Sequence, residues 1–291
     1  MRITNFGSCC IDNVYSVPRF VVPGETLPAS GYEVHAGGKG LNQSLALARA
    51  GANVRHAGKI GEDGVWMRQL LDDAGVDTSL IEVIDAPSGH ANIQVTPSGD
   101  NAIVIFGGAN RKIEARDVET VLADTKPGEF LLIQNEISAL PELIDRAHAH
   151  EQRIVFNAAP ITDDVIELPL DKIEMFVVNE VEGEALTGES RPEAIVDAMT
   201  RKFPGSKTIL TLGEEGAIYQ DADTRLKQSA FPVTPVDTTG AGDTFVGYFL
   251  ATWLNEADIA RCLERACRAA AICTTRRGAA SSIPDGSEVE G

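Results

Sequence analysis

Positive charge is scarce in this chain. Lysine and arginine number 25 against 43 aspartates and glutamates, a formal net charge of −18. A field of that sign repels phosphate backbones and anionic headgroups, which argues against nucleic acid and membrane surfaces as partners. It leaves room for a small anionic ligand, because a local nest of amides outweighs distant charge at contact range. No apolar run approaches the roughly 18 residues of a membrane span. The opening residues Met1-Arg2-Ile3-Thr4-Asn5-Phe6-Gly7 have one cationic side chain and no extended apolar stretch, so no signal peptide is expected. The five cysteines (Cys9, Cys10, Cys262, Cys267, Cys273) are odd in number and lack C-x-x-C spacing. That pattern disfavours a disulfide framework or zinc knuckle and suits a reducing compartment, the cytoplasm. The five histidines are scattered, with no H-E-x-x-H, no G-x-x-x-x-G-K-[ST], no G-x-S-x-G and no complete Rossmann glycine set.

What remains is the composition of an ordinary globular protein: 291 residues, 43% hydrophobic and 23% charged. Short apolar runs bounded by glycine alternate with helical patterns. Strands are expected at 3–6, 53–60, 130–134, 153–157, 175–178 and 208–212, and helices at 42–50, 65–74, 140–149, 180–186, 192–203, 241–254 and 259–274. Such alternation implies βα units and a mostly parallel sheet covered on both faces. Two stretches, 14–35 and 90–106, break the rhythm and read as antiparallel strands. The alternation Ala91, Ile93, Val95, then Ala102, Val104, Phe106 suggests a small sheet standing off the body as a lid. No linker divides the chain, so residues 1–291 are expected to form one domain.

Chemistry concentrates in two glycine clusters that each precede an apolar helix. In Asp237-Thr238-Thr239-Gly240-Ala241-Gly242-Asp243-Thr244-Phe245, the glycines leave first-turn amides free to bind an anion. A carboxylate at Asp243, beside such a site, suits a base that takes a hydroxyl proton; plain N-capping by Asp243 or Asp237 is the alternative. In Gly37-Gly38-Lys39-Gly40-Leu41-Asn42-Gln43, the backbone can approach a ligand closely, with Lys39 and Asn42 as donors; a turn with a solvated lysine is the alternative.

Together these clusters resemble the ribokinase-like sugar kinases. Asn179-Glu180-Val181-Glu182 matches that family's N-x-x-E motif, Thr211-Leu212-Gly213-Glu214-Glu215-Gly216 its T-L-G-x-x-G loop, and Gly7-Ser8 with Asp12 its N-terminal sugar strand. The likeness runs from about residue 3 to Pro284. It implies a three-layer α/β/α fold and ATP-dependent phosphorylation of a small sugar at a terminal hydroxyl, with ribose as the expected acceptor. Other sugars, sugar acids and nucleosides are the rivals, and a non-catalytic sugar sensor is the alternative of another class. Low aromatic content (5%) weighs against stacking a nucleoside, and Arg111 is the candidate partner for a sugar acid.

By the same resemblance, Asp243 is the base and Gly240, Ala241 and Gly242 form the anion hole. Cys10, Asp12, Gly38, Lys39, Asn42 and Glu136 hold the sugar. Asn179, Thr211, Gly213, Gly216, Gly242 and Cys267 face the nucleotide, and Asn179 and Glu182 position its Mg2+, largely through water. Asp237, Thr239, Cys273, Arg276, Gly278 and Ser282 surround an activating K+, chiefly through carbonyl oxygens. At Cys10 the chain departs from the family, where ribose-specific members carry asparagine; a thiol is the weaker hydrogen-bond partner. A lone small sheet with an apolar face is marginal in water, so a homodimer paired through the lids is expected.

Overall fold

A computed structural model describes residues 1–255 and 258–290. The strands and helices run β1 (Arg2–Phe6), β2 (Cys10–Ser16), β3 (Gly31–Gly37), α1 (Lys39–Arg49), β4 (Asn53–Gly61), α2 (Val65–Asp73), β5 (Asp77–Ile84), β6 (Gly89–Val95), β7 (Asn101–Phe106), α3 (Ala115–Ala123), β8 (Phe130–Gln134), α4 (Leu140–Ala149), β9 (Arg153–Asn157), β10 (Met175–Asn179), α5 (Glu180–Thr187), α6 (Pro192–Lys202), β11 (Lys207–Thr211), β12 (Ala217–Gln220), β13 (Arg225–Gln228), α7 (Ala241–Trp253), α8 (Ile259–Thr274) and α9 (Gly286–Val289). The main sheet has the order β13-β12-β11-β10-β9-β8-β1-β4-β5, parallel except for the β11–β12–β13 meander at one edge. No helix among the described residues is long and apolar enough to cross a membrane.

Strand side chains alternate between two cores, which is why the central strands are apolar at almost every position. Phe130 and Leu132 of β8 and Met175 and Val177 of β10 enter the core beneath α1, α7 and α8. Their neighbours Leu131, Ile133, Phe176 and Val178 enter the opposite core, with Leu143 of α4 and Ile195 of α6. The result is the expected three-layer α/β/α arrangement.

The second sheet, β3-β2-β6-β7, is the lid, and it corrects three expectations. Its first strand begins at Cys10, so a sugar-strand residue lies in the lid itself. β2 and β6 run parallel, because each is entered from the same end of the main sheet. The two apolar triplets fall on opposite faces: Ala91 lies opposite Ile105, which puts Val104 and Phe106 beside Asn92 and His90. The cause is that β7 is apolar from Ala102 to Phe106 without interruption, so it supplies both faces.

Candidate active site

The parallel strands end on one side of the sheet, and the residues singled out by sequence gather there, where open α/β sheets hold ligands. At the start of α7, Gly240 is the N-cap residue in the left-handed region (φ 79°) with no side-chain cap. A Cβ at Gly240 would lie 3.1 Å from the Ala279 Cα, so both conformation and space require glycine. The amides of Gly242 and Asp243 donate to no backbone carbonyl and are free for an anion. Asp243 is therefore not a helix cap. The residue is 7% exposed, its carboxylate Oδ2 accepting from Asn42 Nδ2 at 3.0 Å and Oδ1 from Gln43 Nε2 at 2.8 Å.

The second cluster behaves differently from its expectation. The first amides of α1 are already occupied: Lys39 N donates to Glu136 Oε2 at 2.9 Å, Gly40 N to Ser8 Oγ at 3.2 Å and Leu41 N to the Ser8 carbonyl at 2.8 Å. Ser8 Oγ also donates to Glu136. A Cβ at Gly40 would stand 2.3 Å from Ser8 N, so that glycine exists to let the β1–β2 turn press against α1. Ligand contact in this cluster falls instead to the side chains of Lys39 and Asn42. Asn42 is buried and its Oδ1 has no hydrogen-bond partner in the structure, an acceptor left open beside Asp243.

Carboxylates outnumber cations here. The Lys39 ammonium is held charged by Asp243 first and by Glu136 and Glu182 after it. Burial raises the Glu182 carboxyl, and the Asp243 charge adds to that. Burial likewise pushes Asp12 up to about 6, with the Glu136 charge contributing. Asn179 and Glu182 form a reciprocal capping box on α5, Glu182 N to Asn179 Oδ1 and Asn179 N to Glu182 Oε2, both at 2.9 Å. Among the described residues no three metal-ligating side chains converge. The fit is to a cation that arrives with its own phosphate ligands: Glu182 is buried with both oxygens held by Asn179, and hard oxygen donors of this kind suit the water shell of Mg2+.

Toward the nucleotide side, Thr211 ends β11 with its hydroxyl 3.4 Å from the Val178 carbonyl. Gly213 and Gly216 bound the turn into β12 in left-handed conformations. Cys267 is 5% exposed within the α8 core cluster, an apolar wall whose thiol is pushed up to about 12 by burial.

Behind Gly240 the expected cation residues are brought together. The Asp237 carboxylate accepts from Thr239 N at 2.9 Å and Thr239 Oγ1 at 2.7 Å, and from Gly278 N at 2.9 Å. It thus clips one loop to the other. Cys273 Sγ meets Ser282 Oγ at 3.0 Å, while Arg276 turns outward to pair with Glu288. The carbonyls of Asp237, Thr239, Arg276 and Gly278 accept no backbone hydrogen bond.

Sequence reasoning passed over several side chains. Asn110, 1% exposed, brackets Cys9 by accepting from its N–H at 3.1 Å and donating to its carbonyl at 3.0 Å. The same amide reaches Cys10 Sγ at 3.4 Å, and burial raises that thiol well above its usual range. Gln43 of α1, which ends the second glycine cluster but had no role expected of it, lies behind Asp243 together with Gln134 and Asn157 at the ends of β8 and β9. Lone amides in apolar strands carry no spacing signal. Arg111 donates to the Ile137 carbonyl at 3.1 Å.

The comparisons with known proteins agree with this arrangement. Residues 2–286 match the model of the pfkB family carbohydrate kinases. The chain is 35% identical to the ribokinase of Haemophilus influenzae, over 97% of its own length and 95% of that protein. It is 30% identical to the deoxyribokinase of Salmonella typhi, over 98% and 96% respectively. The structure of Arabidopsis thaliana ribokinase complexed with ribose and ATP superposes with a TM-score of 0.86 at 29% identity, covering 99% of this chain and 97% of that one. With the uncapped α7 terminus, the buried Asp243 and the lid sheet all in place, the chain belongs to the pfkB family of carbohydrate kinases.

Proposed function

We propose that this carbohydrate kinase transfers the γ-phosphoryl group of ATP to the terminal hydroxyl of a pentose, with ribose as the preferred acceptor. The observation that carries the reading is Asp243: a carboxylate held by two neutral amides beside the open amides of Gly242 and itself. Asp243 accepts the hydroxyl proton as the hydroxyl oxygen bonds to the γ-phosphorus and the bond to the ADP oxygen breaks. The free amides of Gly242 and Asp243 take up the charge on the transferred group, whereas Ala241 N, expected in the anion hole, is turned to the Thr238 carbonyl at 3.3 Å. Asp12 and Glu136 accept from sugar hydroxyls, with Gly38, Lys39, Asn42 and Cys10 around them. Mg2+ supplies charge neutralisation as part of the ATP substrate, with Asn179 and Glu182 orienting its water shell.

A deoxyribokinase among the relatives keeps 2-deoxyribose as the second reading, and Cys10 favours it, since its thiol is already engaged by Asn110 and offers a hydroxyl little. The test is ADP release across pentoses, 2-deoxypentoses, hexoses, sugar acids and nucleosides. Highest kcat/KM for ribose supports the first reading, and highest for 2-deoxyribose replaces it with the second. No ADP release with any of them overturns both.

Three further expectations follow from the same site. Asp12 must be ionised to accept from a hydroxyl, and its carboxyl titrates near 6. KM for the sugar is therefore expected to rise as pH falls through 6, approaching about tenfold per unit, while KM for ATP stays level; a sugar KM flat from pH 7.5 to 5 removes Asp12 from the contact. K+ bound to the loop carbonyls braces the Gly240–Gly242 amides in advance, so turnover rises several-fold when K+ replaces tetramethylammonium at constant ionic strength. Equal rates in the two salts dispose of the cation site. On the lid, Tyr32, Val34, Val104 and Phe106 share one face and are each at least 46% exposed. That face pairs with a second copy, so light scattering at micromolar concentration is expected to give twice the chain mass; the mass of one chain would count against the pairing.

A further inference from the structure

Behind the base lies a continuous run of buried polar side chains that the reaction itself does not require. Gln43 Nε2 donates to Asp243 Oδ1 at 2.8 Å and to Asn157 Oδ1 at 2.9 Å. Gln134 Nε2 donates to Gln43 Oε1 at 2.7 Å and to Asn5 Oδ1 at 2.9 Å. Asn5 Nδ2 donates to the Gly40 carbonyl and to Ser44 Oγ, both at 2.8 Å, and Ser44 Oγ lies 2.8 Å from His56 Nδ1. Asn5, Gln43, Ser44, His56 and Gln134 are 0% exposed and Asn157 is 7%. The run joins β1, β4, β8 and β9 to α1 and α7.

Its polarity is forced from one end. A carboxylate only accepts, so Gln43 must turn its NH2 to Asp243 and its oxygen to Gln134. Gln134 must then present its NH2, which also reaches Asn5 Oδ1, so Asn5 in turn donates to Ser44 and to the Gly40 carbonyl. The far end agrees: a backbone carbonyl likewise only accepts. Ser44 Oγ, which accepts from Asn5, meets His56 Nδ1, and burial pushes His56 down to about 4, so the ring stays neutral. Gln134 Oε1 is left buried without a partner, against Gly7. An orphaned acceptor is costly, and the aligned order is kept in spite of it.

We infer that Gln43 and Gln134 are positioning residues for the phosphoryl transfer. The aligned amides hold the Asp243 carboxylate in one rotamer and supply hydrogen bonds to its charged form. Because Asn5 also binds the Gly40 carbonyl, the relay ties the base to the loop that carries Lys39 and Asn42. This rests on the reading of Asp243 as the base.

The test uses the full chain with Gln134→Leu and Gln134→Glu, neither of which touches Asp243 or a substrate. Charged or titratable groups around the relay are Asp243 of α7, Lys39 of α1, Glu136 after β8, Glu182 of α5, His56 of β4 and Cys9. Q134L is expected to lower kcat by about 10- to 100-fold, since small misplacement of a catalytic group costs that much, with KM for sugar and ATP little changed. In Q134E, a protonated carboxyl can still donate to Gln43, whereas an ionised one turns the Gln43 amide round and sets its oxygen against Asp243. The ratio of Q134E to parental kcat should therefore fall as pH rises from 6 to 9, a trend that loss of packing does not produce. Should Q134L fail to fold, Q134E carries the test. A flat ratio together with parental kcat in either variant overturns the relay. If D243N is inactive in that case, the base stands and only the relay falls; if D243N is active, both fall.

Discussion

Asp243→Asn is expected to lower kcat by about two to four orders of magnitude, the usual worth of general-base assistance, and to leave the ATP dissociation constant close to parental. The substitution keeps the shape of the side chain and removes its ability to take a proton. It also brings a new NH2 against one of two existing donors, Asn42 Nδ2 or Gln43 Nε2. Asn42 can absorb that change, because its Oδ1 has no partner and the amide can turn over. The variant should therefore fold with the nucleotide side intact, and the loss should appear in kcat with little change in either KM. Turnover within tenfold of the parent would take the base role away from Asp243.

Much of this architecture was legible in the sequence, and the parts that were not share a cause. The central strands announce themselves by being apolar on both faces, and α1 and α7 by glycines before a periodic run; all fall within a few residues of their expected bounds. β5 (Asp77–Ile84) and the β12–β13 meander were passed over. β5 is an edge strand whose two-residue period is broken by Asp, Ser and Glu, while β12 and β13 have four residues each, too few to carry a period. α3 was missed because its nine residues present only Val118, Val121 and Leu122 to the core, and its start is marked by the reciprocal pair Glu114 and Asp117, which reads as surface charge.

The lid shows what patterning cannot supply. Two strands in 90–106 were visible, but β7 is apolar at every position from Ala102 to Phe106, so which of its side chains face which side depends on register, and register is set by the turn and by the pairing of β6 with β2 and β7. At the site, residues on glycine loops could be found because backbone chemistry constrains them. Gln43, Gln134, Asn5 and Asn110 could not, since each acts through a partner distant in sequence. Gln134 meets Gln43 across 91 positions, and only the parallel pairing of β8 with β1 brings them together.

Gly242→Val separates a structural glycine from a functional one. Gly240 cannot serve for this, because its left-handed backbone and the nearby Ala279 would make any side chain destabilising. Gly242 lies within the first turn of α7, and a Cβ there would meet nothing within 4 Å. On structure alone, a side chain is tolerated, and Gly242→Ala should even gain about 0.5–1 kcal/mol from helix propensity. The open space has another meaning if the Gly242 and Asp243 amides receive the γ-phosphoryl group: the side chain then stands where that group must come. Gly242→Ala is expected to lower kcat/KM for ATP moderately. Gly242→Val is expected to lower it by about 10²–10³, the scale of a lost oxyanion donor, with thermal midpoints of both variants at or above the parent's. A valine variant that is stable and turns over normally would show that the phosphoryl group binds elsewhere, and that the α7 terminus is open only to water.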